Sequence, residues 1–239
     1  MNAIIDSVMA SRRLKIFTAY YAMIYVIINL LLSLVNSSVP FFATDPGKIV
    51  YKLVAAMIQA PFIYGLVRGI VTKDYKVSAG LSAFAEVKNF GAYFAYVAVT
   101  LAYELINMLI GSAAAAEGGN QTVLLVISAI VALLRFIINF FLVKMYFDSI
   151  DNEGRPDLGR TVKGCVGLLT KRPLKLVWAE LFVFIASCAV TVISVVLAQI
   201  LPKHWVVGSV IACLNSVQYG FIILSWPVYY LYYKASFEE

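Results

Sequence analysis

The stretch IFTAYYAMIYVIINLLLSLV, residues 16–35, holds no charged residue, and the basic group Arg12, Arg13 and Lys15 stands directly before it. A helix of about 20 residues rises about 30 Å, the thickness of the hydrocarbon core of a bilayer. The run exceeds the ~7–15 residues of a signal-peptide core and lacks a small-residue cleavage site, so it reads as a retained transmembrane helix.

The rest of the chain repeats the pattern. Of 239 residues, 62% are hydrophobic and 13% charged, against roughly 45–50% and about 25% in soluble domains. Mean hydropathy is +0.87. A soluble fold of this length has too little polar surface to cover so much apolar material. Six runs are long enough to cross a membrane: 15–35, 49–71, 90–111, 123–147, 174–201 and 205–233. Gly118-Gly119-Asn120 turns the third into the fourth, and Pro202-Lys203-His204 leaves room only for a tight hairpin between the fifth and sixth. The expected fold is an all-α membrane protein, residues 1–239 forming one polytopic domain of six transmembrane helices in three hairpins.

Charge sets the orientation. Fifteen of the 19 Lys and Arg fall on one side of this topology, in the N-terminal segment, the 73–89 and 148–175 connections, the adjoining span ends and the tail. Lys48, Lys52 and Lys203 fall on the other side, and Arg135 lies within a span. The positive-inside rule then places both termini in the cytoplasm, as in a multi-pass protein of the bacterial cell (inner) membrane. Tyr229, Tyr230, Tyr232 and Tyr233 match an interfacial aromatic belt at the same side. The net charge of +6 is thus explained by topology, and nucleic acid is not an expected partner. Cys165, Cys188 and Cys213 show neither disulfide nor metal-ligand spacing.

Short amphipathic segments precede the spans. In 77–88, Val77, Leu81, Phe84 and Lys88 share one helical stripe; in 158–169, Leu158, Val162, Cys165 and Leu169 do, with Asp157 as N-cap. Residues 2–13 follow suit with Ile4, Ile5, Val8 and Met9. Such helices lie in the headgroup plane, where Arg12, Arg13, Arg160, Lys163, Lys171 and Arg172 are candidate contacts for anionic lipid or a partner protein. Each hairpin is therefore expected to follow a cytoplasmic interfacial helix.

Ala60-Pro61-Phe62-Ile63-Tyr64-Gly65-Leu66-Val67-Arg68-Gly69 with Asn89-Phe90-Gly91, Leu168-Leu169-Thr170-Lys171-Arg172-Pro173, and Trp226-Pro227-Val228-Tyr229-Tyr230 resemble an uncharacterised family of bacterial six-span membrane proteins. The resemblance implies spans alternating with amphipathic helices and brings no established activity.

Ionisable groups inside a span cost ~2.5–3.5 kcal/mol on insertion scales and mark candidate sites. Glu104 with Asn107, Arg135 with Asn139, and Glu180 stand at such positions, with Arg68 at a span end. Helical rise makes a Glu104–Arg135 pair feasible, as well as contacts of Glu180 with Arg68 or Asn139. These groups serve either as interhelical pairs fixing the packing, as a polar pathway or headgroup pocket, or in proton coupling, a role that the single His in the chain disfavours. Asp148, Asp151, Glu153 and Asp157 read as a solvated acidic turn.

There is no P-loop, zinc signature or nucleophile elbow, and no catalytic residue, cofactor or metal is expected. The leading expectation is a non-enzymatic membrane protein acting on lipids or membrane-active molecules, or a subunit of a membrane complex. The alternatives are a permease subunit of an ATP-driven exporter with an ATPase partner, and a membrane-embedded enzyme.

Overall fold

The computed structural model describes residues 12–82, 85–116 and 121–171, together with scattered positions between 181 and 217. The described residues are helical or in turns, and no strand occurs among them. In chain order the helices are α1 (Arg12–Ser38), α2 (Asp45–Thr72), the short α3 (Val77–Ser82), α4 (Phe90–Ala116), α5 (Gln121–Asp151) and α6 (Leu158–Lys171). Three helical stretches, Arg12–Ser38, Asp45–Thr72 and Val87–Ile110, are long and apolar enough to cross a membrane. The expected spans 174–201 and 205–233 and the expected helix 2–13 lie outside the described residues, apart from scattered helical positions and the two arginines that open α1.

The helices outrun the apolar runs that predict them. α1 already includes Arg12 and Arg13, and α2 begins on Asp45. The α1–α2 connection is a 3-10 turn, Pro40–Ala43, followed by an N-cap in which Thr44 Oγ1 accepts from the Gly47 backbone N–H at 3.1 Å. Side-chain capping there satisfies a donor that the helix itself leaves unpaired.

α2 is the centre of the bundle. It packs on α1, α4 and α5, and 61% of its apolar window is buried, against 11% of the window in α4. Contacts fix an antiparallel order. Near the α2 C-terminus, Tyr64 meets Tyr93 of α4 and Tyr146 of α5 edge-on, at 5.4 and 5.3 Å between ring centroids. At the other end of α2, Lys52 meets Glu104 of α4. Gly69 lies so close to α1 that a Cβ there would come within 2.3 Å of Phe17 Cζ.

The bundle is apolar on its outer surface as well as in its core. On α1 the buried stripe is Leu14, Phe17, Thr18, Tyr21, Tyr25, Asn29 and Leu32, while Ile16, Tyr20, Met23, Ile27, Leu31 and Leu34 are exposed. Aromatic and polar side chains are thus prominent in the buried stripe of α1, and large apolar side chains face outward. An apolar belt of this extent requires lipid rather than water.

Two helices depart from the expected pattern. The segment 77–88 is not one helix: α3 stops at Ser82, and Val87–Asn89 forms a 3-10 turn whose N-cap, Glu86, is extended at φ −83°, ψ 107°. Glu86 leaves the helical path because its carboxylate binds Arg68, while its backbone carbonyl accepts from Asn89 N–H at 3.0 Å. Lys88 therefore drops off the stripe expected for Val77 and Leu81. α6 does form, capped as expected by Asp157, whose Oδ1 accepts from Arg160 N–H at 2.9 Å. Its packed side is Thr161 and Cys165, whereas Leu158 and Val162, expected on the same stripe as Cys165, are exposed. A hydrogen bond from Thr161 into the bundle turns the helix this way.

Candidate functional site

The end of the bundle formed by the α1 N-terminus, the α2 and α5 C-termini, the α4 N-terminus and α6 carries a connected set of ionic groups. Asp148, in the last turn of α5, is 1% exposed. Lys144, one turn before it and also buried, donates to its Oδ1. Thr161 of α6 directs its hydroxyl at Asp148 Oδ2, 2.9 Å away, and at the Asp157 carbonyl, 2.8 Å away. Arg160 approaches Asp148 Oδ1 at 3.6 Å and Asp151 at 4.0 Å from the exposed side. One carboxylate therefore ties α6 to α5. An ion pair withdrawn from water holds only when its remaining lone pairs are also bonded, and Thr161 supplies that bond.

A second node lies beside it. Arg68 donates to Glu86 Oε1, and Lys88 lies 3.4 Å from Glu86 Oε2. The buried Asn89 accepts from Tyr64 O–H at 3.1 Å, and its amide reaches Glu86 Oε2 at 3.4 Å. The hydrogen bond from Arg68, reinforced by its charge, lowers the Glu86 pKa below the ordinary glutamate range. The α5–α6 turn locks the nodes together. Glu153 and Gly154 adopt left-handed φ of 52° and 89°. A Cβ on Gly154 would meet Lys88 O at 2.7 Å and Asn89 Oδ1 at 2.8 Å.

Burial also pushes the Cys165 thiol up to about 12, so it behaves as a small apolar side chain. Around these nodes Arg12, Arg13, Lys15, Lys73, Lys76, Lys88, Arg155, Arg160 and Lys163 are all exposed. Glu86 and Asp148 are engaged with cations, and Asp148 with a hydroxyl as well, while Asp74, Asp151, Glu153 and Asp157 are exposed. Exposed ammonium and guanidinium groups outnumber the exposed carboxylates at this end, and such groups are suited to holding phosphate oxygens. Among the described residues no group of three His, Cys, Asp or Glu is placed to hold a metal.

Of the intramembrane polar residues singled out from sequence, Glu104, Asn107, Asn139 and Arg68 are described, and the expected pairings with Arg135 and Glu180 lie outside the described residues. Glu104 bonds Lys52 Nζ at 3.1 Å, and Arg68 bonds Glu86. The side chains of Arg135 and Lys171, and Glu180 and Arg172 as a whole, lie outside the described residues. Asn139 is half-buried on α5. Asn107 turns its Oδ1 inward, where it finds no partner among the described residues. Asp148 belongs to a buried helix end and not to a solvated turn, as does Ser149. Glu86, Lys144, Asp148 and Thr161 were the residues missed. The Lys144/Asp148 spacing of one helical turn at the end of an apolar run was the available signal; the pairing of Glu86 with Arg68 across 18 residues left none.

No family model, curated protein or solved structure matches the chain. Its class rests on the fold: long, apolar antiparallel helices with large hydrophobic side chains exposed on their outer faces make it an all-α membrane protein.

Proposed function

We propose that this is a six-span protein of the bacterial inner membrane with its basic end in the cytoplasm, acting without catalysis on lipids or membrane-active molecules. The observation that carries the reading is α6. Its Leu158, Val162 and Val166 are exposed at the same end of the bundle as the exposed Arg160, Lys163, Arg155, Lys88, Lys73 and Lys76. A helix with exposed aliphatic residues beside a basic rim fits the boundary between acyl chains and anionic headgroups.

Each basic residue near an anionic surface contributes about 1 kcal/mol, and about 1 kcal/mol moves the Tm of a chain this size by ~2–4 °C. Thermal unfolding in nanodiscs therefore tests the proposal. Phosphatidylglycerol-rich discs should raise Tm by at least that amount over pure phosphatidylcholine, and the double variant Lys163→Gln/Arg155→Gln should lose much of the rise. Equal Tm in both lipids would overturn the reading.

A further inference from the structure

At the end opposite the basic rim, the bundle holds a second polar constellation that the packing leaves incomplete. Thr100, Glu104 and Asn107 recur on α4 at helical spacing, within one narrow face. Lys52 of α2 meets Glu104, its Nζ 3.1 Å from Glu104 Oε1. Helical rise puts Lys52 about 10 Å beneath the start of α2, within the outer half of a bilayer.

Two features distinguish this pair from a purely structural one. It is open: the Lys52 and Glu104 side chains keep 44% and 25% of their accessible surface, although Leu105, Ile106 and Leu109 beside Glu104 face outward as a lipid-contacting surface. It is also flanked by unmet hydrogen-bonding capacity. Asn107 Oδ1 and Thr100 Oγ1, one turn to either side of Glu104, are both shielded from solvent and have no partner among the described residues. Buried polar atoms are ordinarily paired, and an unpaired one asks for an explanation. Here the unmet atoms and the carboxylate form a row of acceptors, with a half-exposed ammonium beside them.

We propose that this face binds the headgroup end of an amphiphile carrying a primary ammonium. The ammonium donates to Glu104 and to Asn107 Oδ1 one turn along α4, and Lys52 is left to hold a phosphate where the amphiphile has one. The acyl chain lies along Leu105 and Leu109. A quaternary ammonium has no N–H to give and fails the same acceptors. The inference deepens the lipid-directed reading and rests on it, but uses neither α6 nor the basic rim.

The test employs the full chain in phosphatidylcholine nanodiscs, with competition of a spin-labelled phosphatidylethanolamine as readout. Two arms separate the sources of the ammonium: phosphatidylethanolamine against phosphatidylcholine, and dodecylamine against dodecyltrimethylammonium. A preference of about tenfold for the primary ammonium is expected in at least one arm, the value of one charge-assisted hydrogen bond. Preference in the first arm assigns a phospholipid, and in the second alone a free amphiphilic amine. Glu104→Gln should abolish it. Asn107→Leu should weaken it without a large loss of Tm, because the acceptor it deletes has no partner among the described residues. Absence of preference in both arms, or a preference that survives Glu104→Gln and Asn107→Leu alike, overturns the site. Because the anionic-lipid response depends on Lys163 and Arg155, its failure is scored separately from this one.

Discussion

Asp148 illustrates how a single carboxylate organises one end of a membrane bundle. It neutralises Lys144 within α5 and accepts from Thr161 across the helix boundary, so its removal acts on two elements at once. Asp148→Asn deprives a buried ammonium of this counter-charge, and breaking such a pair costs about 3–5 kcal/mol. Thr161→Val leaves the pair but strips one acceptor lone pair of its donor, at about 1–3 kcal/mol. Chemical unfolding in mild detergent should rank them wild type, Thr161→Val, Asp148→Asn in falling stability; equal stabilities would remove Asp148 from this role. Glu86 gives a pH dependence of definite sign. Its pKa is lowered in the fold, chiefly by Arg68, so its contribution is complete above the ordinary glutamate range and is lost as pH falls through the depressed value. Between about pH 6 and about pH 3 the wild type should lose more Tm than Glu86→Gln, and parallel pH profiles would refute the pairing.

At the scale of elements, the local sequence announced some helices and misled on others. α1 and α2 follow from uninterrupted apolar length, and α6 from its Asp157 cap, all of which are local properties. The segment 77–88 has equally good helical spacing, yet Arg68, a residue of another element, draws Glu86 out of it. Periodicity likewise placed Cys165 with Leu158 and Val162, because it groups apolar residues without distinguishing protein from lipid as their neighbour. The α5–α6 turn shows the same limit. Gly154 is an ordinary turn glycine in sequence, but its positive φ and its contact with Lys88 O and Asn89 Oδ1 tie the turn to the start of α4. Gly154→Ala should therefore cost about 1–3 kcal/mol, the scale of a strained left-handed residue. A loss of Tm matching that range is expected, whereas a substitution elsewhere on the exposed turn, such as Asn152→Ser, should stay within about 0.5 kcal/mol. Indifference to Gly154→Ala would mean the turn is not seated as described.

For the molecule as a whole, composition alone revealed the membrane class, and the large apolar side chains facing outward on α1 agree with it. The partners of the intramembrane charges were not legible, since Glu104 had several cations within reach and only three-dimensional packing selects Lys52. The division into a basic end, carrying Lys163, and an opposite end, carrying Lys48 and Lys52, is the feature on which both functional readings depend. Substituted-cysteine labelling tests it most directly, in a background lacking the native cysteines, with a membrane-impermeant maleimide applied to spheroplasts. Lys48→Cys should label in intact spheroplasts, and Lys163→Cys only after the membrane is permeabilised. Labelling of Lys163→Cys in intact spheroplasts with protection of Lys48→Cys would contradict the account.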